Sequence, residues 1–249
     1  MTLKEFFKAY PKVALAYSGG VDSSWLLYAA MKYGTRVRAY YVKSAFQPEF
    51  EWEDACRLAK ELGADLKILE LDILMYSEVT ANPDNRCYYC KGRIFGEIQR
   101  AAAEDGFSLV IDGTNASDDA GDRPGMKALQ EMAVRSPLRE CGLEKEEIRK
   151  LSREAGLFTW NKPAYACLAT RIPTGSQITA EKLRKTEKAE KLLFSMGFQD
   201  FRVRMLGETA RLQVQESQLS LVMEHRQKLL EELKKYYSGV LLDLEVRSE

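Results

Sequence analysis

The sequence has almost no histidine, no long apolar run and no excess charge of either sign. Its 249 residues include one histidine, and Lys plus Arg equal Asp plus Glu at 37 each. Balanced charge gives no overall attraction to nucleic acid or anionic membrane, so a bound anion must be held by local geometry. Because no run of about 18 apolar residues and no signal-peptide pattern is present, we expect a cytoplasmic protein without membrane contact.

Cysteine is present, but in a number that argues against disulfides. The chain has five cysteines, an odd count, and cytoplasmic proteins keep their thiols reduced. Metal binding or thiol chemistry is therefore the stronger interpretation. Structural zinc sites usually have four ligands in two pairs, whereas this chain has one C-x-x-C pair, Cys87 and Cys90. The one histidine, His225, lies in a polar segment and is interpreted as solvated.

Strand-like and helix-like segments alternate over the first half of the chain. The predicted strands occupy residues 12–17, 36–42, 65–69 and 108–112. The predicted helices between them occupy residues 21–33, 49–62 and 91–104. This alternation predicts an α/β fold with a parallel, doubly wound sheet, whose ligands bind beyond the carboxyl ends of the strands. The polar loops S-G-G-V-D-S-S and D-G-T-N-A-S-D-D follow the first and fourth strands, so we expect both on one rim.

The pattern changes in the last third of the chain. After a charged helix over residues 144–155, we predict a helix to residue 196, strands over 201–205 and 211–214, a helix over 217–236 and a strand over 240–244. We therefore predict two domains, a nucleotide-binding domain over residues 1–176 and a smaller α+β domain over residues 177–249.

The loop at residues 18–24 has the composition of a phosphate site. Glycines let the backbone approach a ligand, and the first N–H groups of the following helix have no partner of their own. The Walker lysine pattern is absent. S-G-G alone would be an ordinary turn, but the full heptad resembles the pyrophosphate loop of ATP pyrophosphatases, which split ATP between the α and β phosphates and adenylate a substrate. That resemblance implies ATP contacts at Ser18, Gly19, Gly20, Asp22, Ser23 and Ser24, with Asp22 also helping to hold Mg²⁺.

Three cysteines are candidates for one shared site. Cys167 lies in A-C-L-A-T-R-I-P, far along the chain from Cys87 and Cys90. Three thiolates suit a [4Fe–4S] cluster with one open iron, while a Cys87–Cys90 redox pair or a zinc site remains an alternative. Cys56, in a helix, and Cys141, in a turn, are interpreted as structural.

Taken together, these motifs are similar to the LarE family, the ATP-dependent sulfur insertases that build the nickel-pincer cofactor of lactate racemase. The resemblance covers nearly the whole chain. It rests on the phosphate loop and on N-R-C-Y-Y-C-K, D-G-T-N-A-S-D-D-A-G-D-R-P-G, V-R-S-P-L, W-N-K-P-A-Y-A-C-L-A-T-R-I-P and F-R-V-R. It implies adenylation of the carboxylates of a pyridinium-3,5-dicarboxylate mononucleotide and replacement of one oxygen of each by sulfur.

The resemblance implies two routes for the sulfur. Cys167 matches a cysteine that some members sacrifice, leaving dehydroalanine. Cys87, Cys90 and Cys167 together match members believed to carry sulfur on a [4Fe–4S] cluster, and the presence of all three favours that route, with a sulfide donor as partner. Family members form trimer-based assemblies up to hexamers, so the resemblance implies a homo-oligomer.

Further site residues also follow from the resemblance. Lys91 matches a lysine suited to stabilising phosphate charge during adenylation. The loop near the nucleotide corresponds to Gly113, Thr114 and Asn115, with a polar continuation at Asp118, Asp119 and Arg123; Arg123 is also assigned to the substrate. Arg202 and Arg204, which alternate along a strand and share one face, match arginines for the substrate phosphate, and Glu190 matches a nearby acidic position. Two positions depart from the family pattern: Thr170 stands where many members have Ser, and Gln213 stands where members often have Glu.

Other function classes remain open at this point. Some tRNA thiolases combine the same loop with three cysteines, but the zero net charge and lack of an RNA-binding extension disfavour nucleic acid. Amide ligases such as NAD synthetase use the loop without needing C-x-x-C. A non-catalytic nucleotide-binding or redox-sensing module would bind ATP without releasing pyrophosphate.

Overall fold

A computed structural model describes residues 1–118 and 124–247 in two compact units. The first comprises Met1–Ile73 and Asn85–Lys162, and the second comprises Leu74–Asp84 and Pro163–Glu249. Asp119 and Arg123 lie outside the described residues. Within those described ranges, every helix is too short or too polar to cross a membrane.

The elements follow one another along the chain as strands and helices of modest length. The helices are α1 (Leu3–Ala9), α2 (Val21–Lys32), α3 (Glu49–Leu62), α4 (Ser77–Thr80), α5 (Arg86–Glu104), α6 (Pro124–Glu131), α7 (Pro137–Glu140), α8 (Lys145–Glu154), α9 (Ala180–Ser195), α10 (Leu219–Glu224) and α11 (Arg226–Leu233). The strands are β1 (Lys12–Ala16), β2 (Arg36–Lys43), β3 (Leu66–Glu70), β4 (Val110–Ile111), β5 (Arg202–Leu206), β6 (Thr209–Gln213) and β7 (Gly239–Leu242). Short 3₁₀ helices occupy Ile73–Met75, Phe158–Asn161, Leu168–Arg171 and Glu216–Gln218.

The first unit is built on a four-stranded parallel sheet in the order β3-β2-β1-β4. Lys12 pairs with Arg36 on one side of β1, and Ala14 pairs with Val110 on the other. The predicted α/β fold with a parallel sheet is therefore confirmed. Because all four strands run the same way, the loops after β1 and β4 leave the sheet at the same edge.

Alternation along the central strands sends side chains to two faces of this sheet. Val13 and Leu15 of β1 belong to a core with Trp25 of α2 and Ile148 of α8. Ala16 lies on the opposite face, where Tyr40, Val42 and Phe95 of α5 surround it. The sheet is thus covered on both sides, as its nearly continuous apolar strands indicate.

The second unit contains a three-stranded sheet in which β5 and β6 are antiparallel and β6 and β7 are parallel. Val203, Met205 and Leu212 are buried on one face of this sheet. Arg202 and Arg204 alternate with them and lie on the other face. Register places Gln213 opposite Arg202 and Arg211 opposite Arg204, so this second face is polar and rich in arginine.

The second unit begins earlier than residue 177, the predicted start of the smaller domain. It includes residues 163–176 and also takes in residues 74–84. The side-chain amide of Asn82, which is fully buried, donates to the carbonyl oxygens of Ile172 and Pro173 over 3.3 Å and 2.7 Å. These bonds tie the two segments together, and no local sequence pattern signals them.

Two helices differ from the prediction. The helix expected over residues 91–104 begins at Arg86, directly after Asn85. Because no glycine or proline occurs in residues 86–91, nothing prevents the helix from starting there. The helix expected over residues 217–236 is divided into three, and His225, with φ −92° and ψ 9°, ends α10 and starts α11. Val222 and Leu229 are both buried, and their helical spacing predicts one continuous helix. The spacing of apolar residues does not reveal a change of backbone dihedral angles between them.

Candidate functional site

The loop between β1 and α2 requires glycine for steric reasons. Gly19 has φ +73°, and a Cβ there would lie 2.7 Å from Cβ of Ala55 in α3. Gly20 is the extended residue that precedes α2, with φ −77° and ψ 169°. A larger residue at Gly19 would therefore displace either the loop or α3, so the sharp turn at the start of α2 depends on glycine.

Hydroxyl groups close this loop on itself. The Oγ atoms of Ser18 and Ser23 lie 3.0 Å apart, and the main-chain N–H of Ser18 donates to Oγ of Ser23 over 3.3 Å. The hydroxyl of Ser23 also donates to the carbonyl oxygen of Gly20 over 3.3 Å. These bonds hold the loop in one conformation, and the first N–H groups of α2, with the positive end of its dipole, form an anion-binding terminus.

The loop after β4 packs directly on the first turn of α2. A Cβ at Gly113 would lie 2.8 Å from the main-chain N of Ser23, so close approach requires glycine here as well. Asp112 is buried and accepts bonds from the hydroxyls of Thr114 and Ser136 over 2.6 Å and 2.7 Å. The fourth strand thus delivers a fixed polar loop to the phosphate loop, as predicted for two loops on one rim.

Asp22 is the meeting point of three separate segments. Its Oδ1 accepts from Nδ2 of Asn115 over 3.2 Å, and its Oδ2 accepts from Nζ of Lys145 over 2.5 Å. Asn115 is itself held, because its Oδ1 accepts from the main-chain N–H of Ser117 over 2.8 Å. The main-chain N–H of Asn115 donates to Asp118 over 2.9 Å. The carboxylate of Asp22 therefore has a defined orientation at the start of α2.

A cavity of about 200 Å³ opens beside the phosphate loop on the α5 side of the sheet. Its walls are mostly apolar, with a few polar groups at the edges, and include Ser18, Tyr40, Val42, Gln47, Lys91 and Phe95. Lys91 lies next to α6, since a Cβ at Gly125 would stand 2.9 Å from Cδ of that lysine. The structure thus brings Ser18, Lys91 and an apolar cavity together.

The cysteines are distributed over both units. Cys87 is exposed and Cys90 is partly buried, one helical turn apart at the start of α5. Cys167 is partly buried and precedes the 3₁₀ helix Leu168–Arg171 of the second unit. Their thiol chemistry fits an iron–sulfur cluster. Over residues 1–118 and 124–247, however, no three His, Cys, Asp or Glu side chains are gathered so as to hold a metal ion.

A buried ion pair organises the segment around Cys167 in the second unit. Arg171 donates to both carboxylate oxygens of Glu190, over 2.8 Å and 3.0 Å, and the two side chains are 0% and 2% exposed. Glu190 also accepts from the hydroxyl of Tyr165 and from the main-chain N–H of Val203. Burial by itself would lower the pKa of Arg171, but the hydrogen bonds and charge of Glu190 raise it.

Arg171 also fixes the backbone next to the cysteine. Its Nη1 donates to the carbonyl oxygen of Ala166 and to Oγ1 of Thr170, each over 2.8 Å. The hydroxyl of Thr170 donates to the carbonyl oxygen of Cys167 over 2.9 Å. Thr170 therefore makes the contact that a serine hydroxyl could make, which accounts for this departure from the family pattern.

Arg202 and Arg204 lie close to Arg171 and repel it. Arg202 donates to the carbonyl oxygens of Phe201 and Ala164 over 2.6 Å and 2.7 Å, and Arg204 donates to that of Thr170 over 2.8 Å. Burial and then the neighbouring arginines lower the pKa of Arg202 to about 10, and the same two causes lower the pKa of Arg204. This cluster has more positive charge than its acidic neighbours neutralise.

Comparison with known proteins identifies the family. No family model matches the chain. The uncharacterized protein slr1717 of Synechocystis sp. is 37% identical over 220 residues, which cover 87% of this chain and 81% of that protein. The pyridinium-3,5-bisthiocarboxylic acid mononucleotide synthase of Lactiplantibacillus plantarum is 34% identical over 220 residues, covering 88% of this chain and 80% of that protein. The chain belongs to the LarE family. It is accordingly an enzyme of the sulfurtransferase class.

A more distant similarity places the LarE family beside tRNA thiolases. The tRNA-specific 2-thiouridylase MnmA of Thermotoga maritima is 26% identical over 196 residues, 61% of this chain and 54% of that protein. The aligned part is smaller than for the LarE relatives. The resemblance recognised from motifs in the sequence is thereby confirmed for the family, while the roles of individual residues stay predictions.

Sequence reasoning overlooked two residues of this LarE site. Lys145 contacts Asp22 from 123 positions away, and its position in a charged helix that also contains Lys150 gave no sign of this. Arg171 was part of a recognised motif, but its complete burial opposite Glu190 was not predicted. Glu190, predicted to contact substrate, has both carboxylate oxygens bound to protein groups. Its place in a substrate site stays a prediction.

Proposed function

We propose that this LarE-family enzyme uses ATP to adenylate the carboxylates of pyridinium-3,5-dicarboxylate mononucleotide and converts them to thiocarboxylates. Membership of the LarE family carries the proposal, because it joins this chain to a synthase named for the bisthiocarboxylic product. The arrangement of the first unit supports it, since an anion-binding helix terminus, a carboxylate and a lysine surround one rim of the sheet. Mg²⁺ and ATP are the cofactor and co-substrate.

ATP is assigned to the rim of the parallel sheet. The start of α2 receives the phosphates, where main-chain N–H groups and the hydroxyls of Ser18 and Ser23 serve as donors. The apolar cavity beside Ser18 accepts the base, and Gln47 at its edge offers a polar group for recognition. Lys91, at the same cavity, stabilises negative charge on the phosphates as it develops. Asp22 provides the carboxylate that Mg²⁺ needs besides the phosphate oxygens.

The reaction proceeds in two displacements. First, a carboxylate oxygen of the substrate attacks the α-phosphorus of ATP, the bond to the bridging oxygen breaks, and pyrophosphate leaves with the electron pair. A sulfur nucleophile then adds to the acyl carbon of the adenylate, and AMP leaves, so that one oxygen has been replaced by sulfur. Water would compete in the second step, and burial of the acyl-adenylate excludes it.

The arginine cluster of the second unit is assigned to the phosphate of the mononucleotide. Burial and then the neighbouring arginines disfavour the charge of Arg202 and Arg204 and lower the pKa of each guanidinium. A phosphate would relieve that repulsion, and guanidinium groups bind phosphate through paired hydrogen bonds. The segment with Cys167 lies against these arginines, through the carbonyl of Thr170. The second unit thus holds the substrate near the proposed sulfur-bearing residue.

The sulfur is proposed to arrive through Cys87, Cys90 and Cys167 as ligands of a [4Fe–4S] cluster. A cluster with three protein ligands and one open iron supplies sulfur for transfer when it is bound. The competing proposal is that Cys167 gives up its own sulfur. The family contains both routes, and the presence of three cysteines favours the first. A sulfide donor and a trimer-based homo-oligomer complete the proposal.

A product assay tests the proposed activity. The protein is reconstituted anaerobically with iron and sulfide and incubated with MgATP and the dicarboxylate mononucleotide. We expect AMP and pyrophosphate, together with a nucleotide in which sulfur has replaced one oxygen per carboxylate by mass spectrometry. ADP and phosphate as products, or AMP without a sulfur-containing nucleotide, would contradict the proposal.

Cysteine variants separate the two sulfur routes. The cluster route predicts that Cys87→Ala, Cys90→Ala and Cys167→Ala each abolish both iron binding and sulfur insertion. The matched controls Cys56→Ala and Cys141→Ala should leave both unchanged. The sacrificial route instead predicts that Cys167 alone is essential and becomes about 34 Da lighter after one turnover, through loss of H₂S. Dehydroalanine at position 167, with Cys87 and Cys90 dispensable, would refute the cluster route.

A tRNA thiolase is the second candidate, and the similarity to MnmA is the observation that supports it. It predicts a salt-sensitive shift of tRNA in a gel and thiolated nucleosides after incubation with ATP and sulfide. The balanced charge of the chain argues against it. Absence of any shift at low salt, combined with conversion of the mononucleotide, would dismiss this candidate.

A further inference from the structure

Lys145 occupies an unusual position for a lysine. It is the first residue of α8, and its main-chain N–H donates to Oγ of Ser117 over 3.0 Å. The positive end of a helix dipole lies at the N-terminus, so a lysine there is opposed by about 0.3–1 kcal/mol. The next residues follow the usual preference, since Glu146 and Glu147 are the acidic residues of this turn. The placement of Lys145 therefore needs another reason.

The reason is found at Asp22. The ammonium of Lys145 lies 2.5 Å from Oδ2 of Asp22, and Asn115 donates to Oδ1 over 3.2 Å. A carboxylate has about four lone-pair positions, so these two donors leave room for a further partner on each oxygen. The side chains of Lys145 and Asp22 are 32% and 21% exposed, so a ligand can reach the pair from solvent.

An ammonium so close to the carboxylate changes what the carboxylate can bind. Asp22 and Lys145 together carry no net charge, and a divalent cation that approaches Asp22 is repelled by Lys145. A triphosphate reverses this balance, because its negative charges attract both the metal ion and the ammonium. Binding of the metal and of the nucleotide at this point would then depend on one another.

We propose that Lys145 is a positioning residue that makes binding of a divalent cation at Asp22 conditional on the nucleotide. Lys145 acts as the resident cation of Asp22 when no nucleotide is bound. When the triphosphate arrives, Lys145 turns from the carboxylate to the phosphates and leaves an oxygen of Asp22 to the metal. This inference rests on the proposed ATP site. It adds that the metal ion binds at Asp22 together with the nucleotide and not before it.

The test measures metal binding, not turnover. Mn²⁺ replaces Mg²⁺ and its binding is followed by electron paramagnetic resonance, with and without α,β-methylene ATP. Removing the ammonium in Lys145→Met should tighten Mn²⁺ binding without nucleotide by about tenfold, because the repulsion is gone. The same change should weaken binding of the Mn²⁺–nucleotide complex by about tenfold, because the phosphates lose a cation.

Four variants make the interpretation specific. Lys150→Met, on the same helix but exposed, should leave both affinities unchanged. Lys145→Arg keeps the charge and should retain weak Mn²⁺ binding without nucleotide. Asp22→Asn together with Lys145→Met should lose the tightened Mn²⁺ site. Lys145→Gln, which keeps a polar group, serves if Lys145→Met does not fold, and the same opposite changes are expected.

Two results are decisive and separable. Unchanged or weaker Mn²⁺ binding by Lys145→Met without nucleotide would overturn the role of Lys145. Failure of wild-type protein to bind the nucleotide would overturn the proposed function instead, and the Mn²⁺ comparison without nucleotide would still report on the pair. A structural role alone would weaken both affinities and could not give changes of opposite sign.

Discussion

The two units of this protein handle charge in different ways. In the first unit, Asp22 and Lys145 pair at the edge of the sheet with about a quarter of their side-chain surface open to solvent. In the second unit, Arg171 and Glu190 are paired with essentially no exposure. The open pair can exchange partners at little cost, whereas the buried pair would leave an uncompensated charge in a medium of low polarity.

This difference separates binding groups from groups that hold the structure. Main-chain N–H groups and glycines make the phosphate loop of the first unit, so its charged side chains need not maintain the fold. In the second unit, Arg171 joins the segment of Cys167 to α9 through Glu190, so its charges do maintain local structure. Replacing Asp22 should therefore damage activity, whereas replacing Glu190 should damage stability.

The largest expected effect comes from breaking the buried pair. Glu190→Gln preserves the shape of the side chain but leaves the guanidinium of Arg171 without its counter-charge. We expect the free energy of unfolding to fall by about 3–5 kcal/mol, measured by urea denaturation. Replacing both members, as Arg171→Met with Glu190→Leu, should recover only part of the loss, because it removes the unpaired charge but leaves the hydroxyl of Tyr165 and the main-chain N–H of Val203 without their acceptor.

A matched control lies on the same helix. Glu181→Gln makes the same chemical change at a side chain that is 75% exposed and paired with Lys185 one turn away. The expected loss is at most about 0.5 kcal/mol. Equal losses in the two variants would remove the distinction drawn between the open and buried pairs.

The next largest effect is expected at the open pair. Asp22→Ala should lower Mg²⁺-dependent formation of AMP by at least about 100-fold, since it removes the carboxylate that we propose binds the metal. The free energy of unfolding in urea should stay within about 0.5 kcal/mol of wild type, because the side chain is partly exposed. Asp65→Ala, which removes an exposed carboxylate paired with Arg38, is the control for activity. Wild-type AMP formation by Asp22→Ala would show that Asp22 does not serve the metal.

The features predicted correctly from the sequence are those that depend on short motifs or on the topology of the sheet. The alternating segments predicted the parallel sheet, and that sheet brings Asn115 from the β4 loop to Asp22, as two loops on one rim require. The glycines at 19 and 113 stand in motifs, and each meets a steric demand that only glycine satisfies. These features follow from short-range patterns and the topology of a parallel sheet.

What could not be predicted are contacts between distant segments with ordinary composition. Lys145 is one of several charged residues in its helix, and nothing near it in the chain distinguishes it from Lys150. Arg171 is fully buried against Glu190 of α9, and a sequence motif shows the identity of a residue but not its burial. Asn82 binds Ile172 and Pro173 across about ninety residues, which is why the second unit starts earlier than predicted.

An intermediate effect is expected at Arg202 and Arg204, which we propose bind the phosphate of the substrate. Arg204→Gln removes one charge from the arginine cluster, and a charge-assisted bond to phosphate is worth about 1.5–3 kcal/mol. Binding of the mononucleotide, measured by calorimetry, should weaken by about ten- to a hundredfold, while ATP affinity stays constant. Arg226→Gln, an exposed arginine on α11, should change neither. A parallel loss of ATP affinity would indicate unfolding or a shared site.

The smallest effect is expected from restoring the family residue at position 213. Gln213 accepts from Nε of Arg204 over 3.2 Å, so it orients the guanidinium without neutralising it. In Gln213→Glu, a carboxylate at the same place would bind the guanidinium more strongly and compete with phosphate for its charge. We therefore expect stability to rise by less than about 1 kcal/mol and mononucleotide affinity to fall by about two- to fivefold. The opposite result, a gain in affinity, would mean that an acidic residue here contacts the substrate itself, and that this chain has given up one such contact. Calorimetry with the mononucleotide and with inorganic phosphate distinguishes the cases, because competition weakens both ligands whereas a direct contact strengthens only the first.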